Sequence, residues 1–222
     1  MIRAGASYAS PSVDPALLII AKAPVPGRVK TRLTPPCTPR QAAALAAAAL
    51  ADTLRAAQGA CRASRRVLVL DGEPGPWVPD GFDVVAQRGE GLAERLAAAF
   101  ADAGAPAFLV GMDTPQLTPE LLDAGLAALE HADAAYGAAL DGGYWGIGLR
   151  TADPDVFRGV PMSRADTGAV QRARLDELGL RTADLPPLLD VDTIGDARAV
   201  AAAAPGSAFA TALAEIELEP VA

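Results

Sequence analysis

The sequence predicts an α/β fold: a Rossmann-like, mixed and mostly parallel sheet flanked by helices, in a single domain. Three observations carry that expectation. Short apolar runs bounded by turn residues alternate with longer segments rich in alanine and leucine, so strand and helix take turns almost throughout. Several of the long segments open on N-terminal capping signals. A strongly basic loop follows the first apolar run, at the carboxyl end of a strand, where open parallel sheets collect their ligands.

Taken in order, the first strand is expected at Leu17 to Ala21, after a small-residue and polar leader over residues 1 to 15. Thr38, Pro39 and Gln41 give a capped start to a helix over residues 39 to 58. Strands at Arg66 to Leu70 and Asp83 to Ala86 follow, then a helix over Gly91 to Ala103 and a strand over Ala107 to Met112, all supported by β-branched or apolar runs. Thr118 and Pro119 repeat the capping device before a helix over Glu120 to Glu130. Two strands, Ala134 to Leu140 and Tyr144 to Leu149, flank a glycine turn. Ser163 with Asp166 opens a helix to about Leu178, with Gly179 as its C-terminal cap. A last strand at Leu180 to Asp184 and helices over Asp196 to Ala203 and Ser207 to Glu217 complete the domain, expected to span residues 16 to 218.

Composition removes several function classes. With 222 residues the chain can bury a sizeable core. A formal net charge of −8 disfavours binding to nucleic acid or an anionic membrane. No window reaches the roughly 18 consecutive apolar residues of a spanning helix, so a cytoplasmic chain is expected. Cys37 and Cys61 are the only cysteines and His131 the only histidine, which argues against a disulfide scaffold or a Cys/His zinc site.

Against that acidic background, residues 22 to 32 (KAPVPGRVKTR) hold four cations and no acid. If the chain is extended from Gly27, side chains two apart share a side, so Arg28, Lys30 and Arg32 face one polyanion. The alternative is a solvated basic loop. Neither G-x-x-x-x-G-K-[ST] nor G-x-G-x-x-G is present, which removes the two common phosphate motifs. Acids stand at strand ends. Asp113 ends the run Phe108 to Met112, and Asp190 and Asp192 share a side of an extended segment. Such oxygens suit a hard divalent cation, and Asp113 meeting Asp192 across a crevice makes a site for a metal and a diphosphate. Each has an alternative as a turn or helix cap. Asp141-Gly142-Gly143-Tyr144-Trp145 reads equally as a hairpin turn or as bare backbone that a sugar or base can approach. Gln87 to Gly91 precede a helix whose free N–H groups favour a polar ligand, with plain capping as the alternative.

Four ordered motifs, AKAPVPGRVKTRL, GMDTPQLTPELL, DGGYWGIGL and DVDT, together resemble the DUF2064 family, described as transferase 1 associated with radical-SAM and selenoprotein-like domains. The similarity runs over about residues 17 to 200. That resemblance implies the glycosyltransferase A fold of the nucleotide-diphospho-sugar transferase superfamily. It implies a first loop around nucleotide phosphates, formed by Ala21, Lys22, Pro24, Gly27, Arg28, Lys30, Thr31 and Arg32, with Gln87, Gly89 and Gly91 beside it. Asp113 and Asp192 take the metal positions. Asp141, Gly142, Gly143 and Tyr144, with Ser163 and Thr167, line the sugar or acceptor pocket.

The implied activity is transfer from a nucleotide-diphospho-sugar to a small-molecule acceptor, with Mg2+ or Mn2+ as cofactor and Asp113, Asp141 and Lys30 as the catalytic set. The chain departs from many glycosyltransferases of this fold in carrying one acid, not D-x-D, at mid-chain. It is in that respect similar to nucleotidylyltransferases, and its K-T-R-L loop resembles that of 2-phospholactate guanylyltransferase. Nucleotidyl transfer from a nucleoside triphosphate is therefore the alternative, and a non-catalytic nucleotide-binding module, partnering a neighbouring radical enzyme, is the second.

Overall fold

Alternation along the first strand sets how the layers assemble. In the computed structural model, which describes residues 15 to 216, β1 covers Ala16–Lys22. Leu17, Ile19 and Ala21 enter one buried cluster, and Leu18 enters another on the opposite face. That is the period-2 rule of a strand buried on both sides. The first cluster is closed by α1 (Pro39–Gly59) and α3 (Pro119–Ala128), the second by α2 (Leu92–Ala103) and α4 (Thr167–Glu177).

The sheet adds β2 (Arg65–Asp71), β3 (Asp83–Ala86), β4 (Ala107–Val110), β5 (Ala134–Ala139), β6 (Tyr144–Leu149) and β7 (Thr182–Leu188). Its order is β3-β2-β1-β4-β6-β5-β7. β1 pairs in parallel with β2 and β4, β2 with β3, and β5 with β7, while β6 runs antiparallel to β4 and β5. This is the mixed, mostly parallel sheet the pattern predicts. α5 (Ile194–Ala203) and α6 (Ala208–Ala214) lie to one side, in a third cluster that joins Leu33, Leu45, Val191, Val200 and Phe209. Among the described residues no helix is long and apolar enough to cross a membrane. The expected leader lies outside the described residues, Pro15 excepted, as does the end of the last predicted helix at Glu217.

Most element starts follow their chemistry. Thr38 and Gln41 form the expected capping box on α1, and Thr118 caps α3. Three expectations are corrected. β4 ends at Val110, two residues short of Met112. β7 runs on to Leu188 through Pro186 and Pro187, which an edge strand tolerates because one row of its N–H groups needs no partner. The segment after Ser163 is loop until Thr167, because Thr167 Oγ1 donates to the Pro161 carbonyl at 2.8 Å and accepts from Arg164 N at 3.0 Å, closing a turn.

Candidate functional site

The loops beyond the carboxyl ends of β1, β3 and β4 meet the turn between β5 and β6, the loop before α4 and the segment after β7. They enclose a cavity of about 910 Å³. Its wall includes Ala21, Lys22, Arg28, Lys30, Thr31 and Arg32 from the basic loop, and Gln87 and Gly91 from before α2. Asp113, Asp141, Gly143, Tyr144, Ser163, Thr167 and Asp192 line it as well. Pro24, Gly27, Gly89 and Gly142 do not contribute to the wall.

The basic loop reaches the cavity by another route than the extended one expected. Gly27 turns the chain at φ +77°, Lys30 stands in the left-handed region at φ 48°, and Thr31–Leu33 form a single 3-10 turn. Val29 and Leu33, both buried, anchor the piece at a spacing of four. Arg28, Lys30 and Arg32 therefore share the cavity through a tight turn, and each has a different environment. The Lys30 ammonium is buried, its side chain only 6% exposed, 2.8 Å from Asp113 Oδ1 and bonded to the Val191 carbonyl. Arg32 Nη1 pairs with Asp192 Oδ2 at 2.5 Å in solvent.

The acids divide in the same way. Val191 N donates to the Asp113 carbonyl at 3.0 Å, and Gln116 Nε2 donates to the Leu189 carbonyl at 2.7 Å, so the segment after β7 is fastened to the segment after β4. Asp190 receives the Thr114 hydroxyl at 2.5 Å. Burial pushes its carboxyl up to about 6; the Thr114 bond opposes that shift, the charges of Asp113 and Asp141 add to it, and Lys30 opposes it. Asp113, Asp190 and Asp192 all line the cavity, but the charge of Asp113 acts on Asp190, while Asp192 pairs with Arg32. Asp192 does not cap the following helix, since Thr193 and Asp196 form that capping box.

At the glycine turn, protein fills the space left by the missing side chains. A Cβ on Gly142, whose φ is +93°, would stand 2.0 Å from the Ala165 carbonyl oxygen, and one on Gly168 would stand 2.4 Å from the Gly143 oxygen. The Gly168 N–H donates to the Gly142 carbonyl at 2.8 Å. Gly142 is therefore a docking point for the loop before α4. Asp141 Oδ1 accepts from Gly143 N at 2.9 Å, an Asx turn that leaves Oδ2 for other work.

Sequence reading missed one polar group altogether. Arg95, on the first turns of α2, donates from Nη1 to Asp71 Oδ2 at 3.0 Å and to Gln87 Oε1 at 3.1 Å. Gln87 Nε2 in turn donates to the carbonyls of Ala21 and Val69, tying the ends of three strands together. Asp71 is the last residue of β2, and the acid-after-an-apolar-run signal that marked Asp113 could have found it. The apolar wall of Ile20, Leu92, Leu96, Leu109 and Met162 was missed too, because each reads as ordinary core.

A family model described as "Uncharacterized protein conserved in bacteria (DUF2064)" matches residues 41–164, more than half of the chain. The chain belongs to the DUF2064 family. The match begins after the basic loop and stops short of Asp190. A solved structure from Desulfovibrio desulfuricans G20, described as a "putative nucleotide-diphospho-sugar transferase", is 30% identical with a TM-score of 0.81, over 91% of this chain and 94% of that one. CMP:2-keto-3-deoxy-manno-octonic acid synthetase complexed with CTP shares the fold at 14% identity and a TM-score of 0.56, over 86% of this chain and 98% of that one. So does Rv0371C of Mycobacterium tuberculosis H37Rv in complex with manganese, at 23% identity and 0.50, over 84% and 97%. No curated protein matches this DUF2064 chain.

Proposed function

We propose that this DUF2064 chain is a divalent-metal-dependent transferase whose donor is a nucleotide-diphospho-sugar and whose acceptor is a small molecule. The observation that carries the reading is the meeting, on one cavity, of the cations Arg28, Lys30 and Arg32 with the strand-end carboxylates Asp113 and Asp190. The description of the 30%-identical structure supports the same donor class. Such donors belong to the cytoplasmic nucleotide pool, and the chain is assigned there with them.

The residues fit magnesium or manganese. The charges of Asp113 and Asp141 both act on Asp190, against the ammonium of Lys30. Among the described residues no three His, Cys, Asp or Glu side chains form a metal cluster. Two carboxylates completed by phosphate oxygens is the way magnesium is commonly held with such substrates. Asp113 and Asp190 would hold the ion, which neutralises charge on the departing diphosphate. The manganese complex of a fold relative is in keeping with that choice.

The chain's own groups do the rest. Arg28, Lys30 and Arg32 bind the diphosphate and stabilise it as a leaving group. Gln87, Gly91 and Arg95 border the nucleoside end. Asp141 Oδ2 takes the acceptor proton as its oxygen attacks, and Tyr144, Ser163 and Thr167 border the acceptor. A second reading, nucleotidyl transfer, is favoured by the single mid-chain acid: the same cations then stabilise pyrophosphate leaving the α-phosphate.

A thermal-shift screen of nucleotide sugars and nucleoside triphosphates, each with and without Mn2+, tests the proposal. Nucleotide sugars are expected to stabilise the fold, by about 2.7 kcal/mol at a hundred times their Kd. Stabilisation by triphosphates alone selects the second reading, and no shift with any nucleotide sinks both. In turnover assays Asp113→Asn and Asp190→Asn should abolish metal stimulation, whereas Asp192→Asn should retain most of it.

A further inference from the structure

The cation that Asp113 holds in this structure belongs to the protein. Lys30 Nζ lies 2.8 Å from Asp113 Oδ1 and also bonds the carbonyl of Val191, whose N–H in turn donates to the Asp113 carbonyl. The ammonium is almost wholly buried there, although its neighbours Arg28 and Arg32 are open to solvent. Its backbone is fixed in the left-handed region between the anchors Val29 and Leu33, so the side chain alone can move.

We propose that Lys30 is a built-in counterion that occupies the cation position at Asp113 and must leave before a divalent metal ion can bind there, which couples metal binding to diphosphate binding. This rests on the metal and diphosphate reading given above. An ammonium hydrogen-bonded to Asp113 Oδ1 uses the lone pair and cancels the charge that a metal ion needs. A bare ion therefore meets an occupied ligand and a like charge. The lysine stem has four carbons and rotatable bonds, so its head can swing where a planar guanidinium would be less free. A diphosphate arriving at Arg28 and Arg32 offers the ammonium charge-assisted bonds in place of a carboxylate and a neutral carbonyl. Once the ammonium turns to the phosphates, Asp113 is released. Coupling of this kind is reciprocal, so metal tightens diphosphate binding by the factor by which diphosphate tightens metal binding.

The test is a titration of the intact chain with Mn2+ alone, followed by the electron paramagnetic resonance of the free ion. Lys30→Met, which keeps the stem and removes the charge, should bind Mn2+ at least tenfold more tightly than the native chain. Arg32→Met removes the same charge from the same loop but leaves Asp113 occupied, and should change Mn2+ affinity severalfold at most. Equal affinity in the native chain and Lys30→Met overturns the counterion role alone and leaves the metal reading standing. Equal gains in Lys30→Met and Arg32→Met assign the effect to net charge and also overturn it. If neither the native chain nor Lys30→Met binds Mn2+, the metal reading falls and this proposal with it. A second measurement needs no variant: acetic anhydride labelling read by mass spectrometry. Lys30 should be acylated slowly in the empty protein and several times faster with saturating Mn2+, and an unchanged rate contradicts the proposal.

Discussion

Asp190 and Asp192 stand two residues apart, and both line the cavity, yet they end in different chemistry. Asp190 is half-buried and accepts from the Thr114 hydroxyl, and Asp192 reaches out to Arg32. The alternation of an extended segment could place both on one side, but the choice between them depends on partners 76 and 160 residues away. Local pattern holds no information on such partners, so Asp113 and Lys30 were legible as site residues and Asp190 was not singled out. The loop cations carry a prediction at this scale. Lys30→Ala with Arg32→Ala should weaken metal-free nucleotide binding by about 3 kcal/mol, since two charge-assisted phosphate contacts are lost. Isothermal titration calorimetry measures it, and unchanged affinity would rule out the loop as a phosphate cradle.

Among the elements, starts were more readable than paths. A capping box is local chemistry, and the Thr38 and Thr118 helix starts stand where the sequence puts them. The course of the basic loop is not local, because Val29 and Leu33 are pulled into core formed by distant segments. The glycine turn was open between ligand contact and plain turn, and the close approach of Ala165 to Gly142 gives it a structural role. Gly142→Ala should then cost about 2 kcal/mol or more, from a strained positive φ and a steric clash, read as a fall in urea midpoint. The docking of α6 gives a second test. Asp52, buried on α1, accepts from Ala208 N at 2.9 Å and Phe209 N at 2.8 Å, and pairs with Arg55. Asp52→Ala leaves two N–H groups without an acceptor and should destabilise the chain by about 1–3 kcal/mol in the same assay.

Across the molecule, the two faces of the sheet carry most of the burial, and a buried phenol gives the stability a pH limit. The Tyr136 hydroxyl donates to the Gly168 carbonyl at 2.9 Å. Burial is the main cause that pushes its pKa up to about 12, with Arg172 opposing and Asp184 assisting. Between pH 10 and 12 the unfolded chain releases a proton that the native chain keeps, so stability falls as pH rises through that window, by up to ~1.4 kcal/mol per unit. Tyr136→Phe should flatten that part of the slope in denaturant titrations run from pH 9 to 11.5, and an unaltered slope would assign the alkaline loss to other groups.

The layer order and the family were within reach of the sequence, because hydrophobic period and capping chemistry act over a few residues and motifs survive as strings. Sign inversion alone pointed to residues 22 to 32 as a place for an anion. Only the tertiary structure brought Leu33 and Val191 into one core cluster, and through it set Lys30 on Asp113 and brought Asp190 under the charge of Asp113. The reason is physical: a charge is placed by the apolar residues beside it, and where those are buried depends on segments far off in the chain.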